Sequence, residues 1–169
     1  MFEDARGFFF ESYHAERYAA AGLPRFVQDN HARSLPGTLR GLHYQLHHAQ
    51  GKLVRVLRGS IFDVAVDIRR GSPTFGRWVG ATLSADNKRQ LYVPAGYAHG
   101  YCVPDETSEV EYKCTDFYAP DDEHGVAWND PTIAITWPVQ DPLLSERDRG
   151  YRPLSVDRTD LPDYAERSA

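Results

Sequence analysis

Apolar and polar residues alternate with a period of two along most of this chain, and that period suits strands rather than helices. The run Ile61 to Ile68 shows it plainly, with Phe62, Val64, Val66 and Ile68 on one face and Asp63, Ala65 and Asp67 on the other. Lys52 to Arg58 precedes this run across an Arg58-Gly59 turn, and the spacing predicts that the two segments form a hairpin. Further strands are expected over Pro24 to Asn30, from Thr38 onward, and over Phe75 to Leu83, Arg89 to Val93, Ala98 to Val103, Glu109 to Thr115 and Thr132 to Trp137. Gly71-Ser72-Pro73, Ala85-Asp86-Asn87, Pro94-Ala95-Gly96 and Pro104-Asp105 supply turn chemistry between them. Many short strands so punctuated predict an all-β sandwich or barrel. One short N-terminal helix is expected from Tyr13 to Ala21, with Ser12 as its N-cap and Gly22 closing it. The tail beyond Pro138 reads as irregular and polar.

No linker rich in Pro, Gly or Ser divides the 169 residues, so residues 1–169 are read as one domain. A net charge of -5 and the absence of any long basic tract argue against nucleic acid or a membrane surface as partner. An anionic ligand would have to be held by a local cluster of Arg and Lys. No apolar run approaches the roughly 18 residues of a membrane span, and Met1 to Arg6 lacks the pattern of a signal peptide, so a cytoplasmic location is expected. Cys102 and Cys114 lack metal-type spacing and read as reduced, strand-borne residues.

The chemistry concentrates in Leu39-Arg40-Gly41-Leu42-His43-Tyr44-Gln45 and Gln50-Gly51-Lys52-Leu53-Val54-Arg55. Strict alternation places Leu39, Gly41, His43 and Gln45 on one face and Arg40, Leu42 and Tyr44 on the other. A neutral imidazole can take a proton near neutral pH when a carboxylate fixes its tautomer. The nearby cations Arg40, Lys52 and Arg55 can bind phosphate and stabilise an oxyanion.

Pro94-Ala95-Gly96-Tyr97-Ala98-His99 resembles the second cupin motif, Pro-x-Gly-x-x-His, whose barrels often hold a metal. The first cupin motif needs His-x-His and a nearby glutamate, whereas His43 is followed by Tyr44 and Gln45, and His47-His48 has no glutamate before Gly51. No metal is therefore expected. His47 and His48 read as solvated loop residues, and His14, His31 and His124 have no partner that sequence reveals.

The runs Arg6-Gly7-Phe8-Phe9-Phe10-Glu11-Ser12, Phe26-Val27-Gln28-Asp29-Asn30-His31, Leu39 to His43, Gln50 to Arg55, Phe62 to Arg69, Ser72 to Gly76, Asn87 to Leu91, Ala98-His99-Gly100, Tyr112-Lys113 and Trp128-Asn129-Asp130 together resemble the dTDP-4-dehydrorhamnose 3,5-epimerase family, in its order. The resemblance implies a cupin-like jelly roll, a homodimer and no cofactor. It implies inversion of C3, C5 or both in dTDP-4-keto-6-deoxyglucose, on the way to dTDP-rhamnose or another deoxysugar. Carried across, His43 matches the general base, Asp148 its carboxylate partner, Tyr112 the acid for the opposite face, and Lys52 the cation at the C4 oxyanion with His99 nearby. Gln28, Asp29, Asn30, Arg40, Glu123 and Arg147 match substrate-contacting positions. Arg6 and Glu11 match residues that reach the nucleotide from the partner subunit.

Three departures stand out: the chain begins almost at Arg6, Arg147 replaces a common lysine, and Phe117 stands where tyrosine is common near the sugar ring. Two further readings compete, a dTDP-sugar 3,4-ketoisomerase and a non-catalytic sugar-nucleotide-binding cupin.

Overall fold

The two-residue period resolves into two facing antiparallel sheets in the computed structural model, which describes residues 1–165. The chain runs through β1 (Phe2–Asp4), β2 (Gly7–Phe9), α1 (Ala15–Ala20), β3 (Gln28–Ser34), β4 (Leu39–Gln45), β5 (Lys52–Arg58) and β6 (Ser60–Asp67). It continues through β7 (Trp78–Ser84), β8 (Gln90–Val93), β9 (Tyr97–Cys102), β10 (Ser108–Cys114), β11 (Glu123–Gly125) and α2 (Glu146–Gly150). One sheet has the order β3-β10-β5-β8 and the other β11-β4-β9-β6-β7.

β5 and β6 do not form the hairpin that their spacing predicts. β5 pairs with β10 and β8, β6 with β7 and β9, so the Arg58-Gly59 turn is a corner between sheets. Gly59 holds φ +72°, and a Cβ on it would lie 2.5 Å from Ser108 Oγ. Ser108 Oγ satisfies the corner, accepting from Ser60 N–H at 3.1 Å and donating to Ser60 C=O at 2.8 Å.

Packing occupies both faces of the five-stranded sheet. Between the sheets, Val54, Val56 and Val110 meet Ile61, Leu83, Tyr101 and Val103. On the outer face Leu42, Val64, Val66, Ile68 and Ala98 are covered by Val126, Ile133, Leu154 and Leu161, from the strap that follows β11. β6 is therefore buried on both sides, and each fully buried Val or Ile contributes roughly 1.5–3 kcal/mol relative to exposure. The strap is pinned by main-chain bonds from Ala127 N–H to Arg152 C=O (3.0 Å) and Tyr164 N–H to Arg70 C=O (2.9 Å). Arg158 adds bonds to Gly125 C=O and Tyr44 Oη, both 2.9 Å.

Several expected boundaries move for local reasons. Thr132 to Trp137 is not a strand: Asp130 Oδ1 accepts from the N–H groups of Thr132 (2.7 Å) and Ile133 (3.0 Å), which curls the chain. The N-terminal helix is shorter than Tyr13 to Ala21, with His14 rather than Ser12 as N-cap. Ser12 C=O instead accepts from Gln90 Nε2 at 2.9 Å, holding that segment extended against β8. β3 begins at Gln28 rather than Pro24, since Pro24 has no N–H to give a ladder and pairing with β10 starts only at Val27 N–H to Cys114 C=O. The aromatic run at Phe8 forms half of an exposed two-stranded hairpin, β1 with β2, which the sequence reading does not predict. No described helix is long and apolar enough to cross a membrane.

Candidate active site

A cavity of about 310 Å³ opens between the sheets. The four-stranded sheet contributes Asn30 from β3, Lys52 from β5 and Tyr112 from β10, while the five-stranded sheet contributes Arg40 and His43 from β4, His99 from β9 and Glu123 from β11. Ladder register explains the gathering. His43 is paired with His99 on one side and Gly125 on the other, and Tyr112 is paired with Asn30 and Val54.

Arg40 and His43 share this cavity, contrary to strict alternation. The β4–β9 pairing advances from Arg40↔Tyr101 to His43↔His99, three residues against two, so β4 bulges between them. Gly41 makes the bulge, with φ +121° and so close an approach that a Cβ would lie 2.6 Å from Gly100 Cα.

His43 Nε2 lies 2.5 Å from Asp148 Oδ1. Asp148 is 3% exposed and stands in α2, the helix that Ser145 caps. Ser145 Oγ donates to Asp148 Oδ2 at 2.8 Å. Burial opposes the charge on Asp148, but the His43, Ser145 and Gly41 hydrogen bonds outweigh it and hold the carboxyl below its ordinary range. The ionised carboxylate accepts from Nε2–H, which leaves the lone pair on Nδ1. Glu123 Oε1 stands 3.9 Å from that nitrogen.

Lys52 is half-buried, and burial pulls its ammonium below the usual lysine range against the opposing pull of Cys114 and Asp63. Asp63 is fully buried and its Oδ1 lies 2.7 Å from His99 Nε2. Tyr112 enters from the opposite sheet, and burial pushes its phenol up to about 12, so it holds its proton at neutral pH. Arg40 is steadied by Ser34 Oγ at 2.9 Å. Among the described residues no group of three or more His, Cys, Asp or Glu is arranged to hold a metal ion.

Other residues singled out in the sequence stand elsewhere. Gln28 braces the wall, donating to Asn30 Oδ1 (3.1 Å) and accepting from Tyr118 N–H (2.9 Å), and Asp29 pairs with Lys113 at 3.0 Å. Arg147 does not line the cavity itself but pairs with Glu123 Oε2, which does. Arg6 pairs with Asp4 and Glu11 with Arg17, both on the exposed N-terminal segment and outside this cavity. Phe117 is 63% exposed, and it is Tyr118 that lines the cavity, its hydroxyl donating to Glu123 Oε2 at 2.9 Å. Gln45, Gln50 and Tyr101 also line it, and the sequence assigns none of them a role. Gln45 and Gln50 stand in the two runs around His43 and Lys52, whereas Tyr101 carries no signal.

The sequence model of the dTDP-4-dehydrorhamnose 3,5-epimerase family matches residues 1–155. The chain is 62% identical over 152 residues to a dTDP-4-dehydrorhamnose 3,5-epimerase of Pseudomonas aeruginosa, covering 88% of this chain and 84% of that one. Its structure matches, at TM-score 0.93 and 50% identity, a dTDP-6-deoxy-D-glucose-3,5-epimerase from Legionella pneumophila crystallised with dTDP-4-keto-L-rhamnose, over 97% of this chain and 89% of that one. It also matches, at TM-score 0.90 and 36% identity, a 3'-monoepimerase from Streptomyces bikiniensis in complex with dTDP-quinovose, over 96% and 85% of the two chains. The sandwich is thus a cupin-like jelly roll.

Proposed function

This chain belongs to the dTDP-4-dehydrorhamnose 3,5-epimerase family, and from that membership we propose that it inverts both carbons flanking the C4 ketone of dTDP-4-keto-6-deoxyglucose. Inversion at both centres is favoured because the relatives at 62% and 50% identity carry the 3,5-epimerase name, whereas relatives named as 3-epimerases or monoepimerases stand at 41% and 36%.

The observation that carries the reading is that His43 and Tyr112 reach one cavity from opposite sheets. A C–H beside a ketone is weakly acidic, so removing its proton needs a base on one face and a cation at the carbonyl oxygen. Inversion then needs a donor on the other face. His43 Nδ1 takes the proton, Asp148 stabilises the imidazolium, and Lys52 holds the oxygen of the resulting enolate. Tyr112 returns a proton to the opposite face, and exchange with water resets both groups. Arg40 and Arg147 supply positive charge for the diphosphate in a chain whose net charge is -5. Each turnover uses only side chains.

The homodimer is part of the same proposal. Phe2 and Phe9 on the N-terminal hairpin are 77% and 72% exposed, and Arg6 and Glu11 lie outside their own cavity, paired with Asp4 and Arg17, on a segment open to a second copy. We place the protein in the cytoplasm, which suits its free, buried Cys102 and Cys114.

The test is incubation with dTDP-4-keto-6-deoxyglucose in D2O, with the sugar read by NMR. Deuterium at C3 and C5 with inverted configuration is expected. A 3,4-ketoisomer, or an unchanged sugar, would overturn the proposal.

A further inference from the structure

His43 has a third neighbour that the chemistry above does not use. The Tyr151 ring lies 5.8 Å from the imidazole, centroid to centroid, with the planes 70° apart in an edge-to-face contact. It fills the place where Gly125 has no side chain: a Cβ there would fall 2.3 Å from Tyr151 Cε2 and 2.4 Å from Cδ2. Gly125 is the residue paired with His43 in the β11–β4 ladder, so its bare Cα opens a notch directly beside the imidazole. Tyr151 arrives from the strap one residue beyond α2, three residues after Asp148.

The hydroxyl of Tyr151 is buried and has no hydrogen-bond partner among the described residues. Burial pushes it up to about 12, so the side chain stays neutral. What Tyr151 offers His43 is therefore its ring. A single hydrogen bond from Nε2 to Asp148 fixes a distance and leaves the imidazole plane free to swing about that bond. An aromatic edge wedged between Gly125 and the ring removes this freedom.

We propose that Tyr151 is a positioning residue, seated in the notch left by Gly125, that fixes the imidazole plane of His43 so that Nδ1 faces the cavity while Nε2 stays on Asp148. This rests on His43 being the base, as proposed above. A misplaced base costs rate in the chemical step and leaves nucleotide binding intact.

The test compares kcat, KM and deuterium exchange in the wild type and in Tyr151→Ala, Tyr151→Phe, Gly125→Ala and the Gly125→Ala/Tyr151→Ala double variant, each checked by thermal melting. Tyr151→Ala should lower kcat by about tenfold to a hundredfold while KM stays within about twofold. Tyr151→Phe keeps the ring and should recover kcat to within about threefold, and it should melt no lower because it deletes an unpaired hydroxyl. Gly125→Ala evicts the ring and should reproduce Tyr151→Ala, and the double variant should be no slower than either single one, since both act through one seat. If Tyr151→Ala melts early, Tyr151→Leu keeps apolar volume without the planar edge and should show the same selective loss in kcat.

Wild-type kcat in a folded Tyr151→Ala or Tyr151→Leu protein would overturn the proposal. So would an equal loss in Tyr151→Phe, or a multiplicative loss in the double variant. Deuterium exchange that persists in folded His43→Ala would instead overturn the choice of base, which separates the two failures.

Discussion

Asp148 meets His43 at 2.5 Å across 105 residues of chain, and α2 presents no other carboxylate to that ring. Asp148→Asn should fold normally and slow proton abstraction by about two powers of ten or more, because the imidazolium loses its counter-charge. The rate of deuterium entry into the substrate measures this. A folded Asp148→Asn protein with wild-type exchange would remove Asp148 from the pair.

On the proposed mechanism Lys52 supplies the charge at the enolate oxygen, so Lys52→Gln should cut exchange and inversion together by about two to three powers of ten. Substrate or dTDP affinity, measured by calorimetry, should change far less. If affinity collapses while bound substrate still turns over, Lys52 is a binding residue only.

On the proposed mechanism Tyr112 acts after the enolate forms. Tyr112→Phe should still wash deuterium into the sugar with retained configuration, delivered back by His43, while inverted product falls by about a hundredfold. The NMR spectrum of recovered sugar reads both quantities at once. Full epimerisation by this variant would assign the acid elsewhere.

The Gly41 bulge carries a stability prediction. A methyl group there would collide with Gly100 Cα and, at 2.8 Å, with His99 C=O, both main-chain atoms that cannot step aside. Gly41→Ala should cost about 2–4 kcal/mol and lower the melting temperature by several degrees. It should also reduce activity in any surviving fold, since the bulge turns Arg40 and His43 to the same side. Melting within a degree of the wild type would contradict this account.

Acid stability should respond to Asp160. Its carboxyl is lowered to about 2 from a usual value of 3.8, chiefly by Arg158, and Arg158 in turn ties the strap to Tyr44 and Gly125. A depressed folded-state value gives stability that is complete above the unfolded value and is lost as pH falls from about 4 toward 2. The contribution is of order 1–2 kcal/mol, and Asp160→Asn should remove it. Denaturant midpoints for wild type and variant should lie apart at pH 7 and converge near pH 2. A constant gap down to pH 2 would rule out the carboxylate as its source.

How much of this was legible in the sequence follows from the range of each interaction. Strand positions were readable because a period of two is written in neighbouring residues, as in β6, where Phe62, Val64 and Val66 alternate with Asp63, Ala65 and Asp67, although the fold buries all but two positions of the strand. Strand partners were not: a tight Arg58-Gly59 turn looks the same whether the chain folds back on itself or rounds a corner, and Ser108, which settles it here, lies 48 residues away. Thr132 to Trp137 alternates like a strand, yet one aspartate side chain diverts its N–H groups into a turn. In the site, His43 and its neighbouring cations stood out because they interrupt an apolar pattern. Asp148 and Tyr112 came only through family resemblance, since nothing in their own surroundings points to a histidine in another strand. Tyr151 carried no signal at all, because its meaning depends on a missing side chain at Gly125.

Every strand of both sheets precedes Asp148 in the chain, the last ending at Gly125. On the ribosome, where the N-terminal portion emerges first, every strand is therefore made before the proposed partner of His43, while the outer face of the five-stranded sheet stays uncovered until Ile133, Leu154 and Leu161 follow. A nascent chain halted after β11 would carry the cavity walls, including His43, Lys52 and Tyr112, without the carboxylate that equips the imidazole. On the proposed mechanism, the segment that closes the outer core is thus the same one that brings the carboxylate to the imidazole, so completion of the fold and competence for chemistry arrive together.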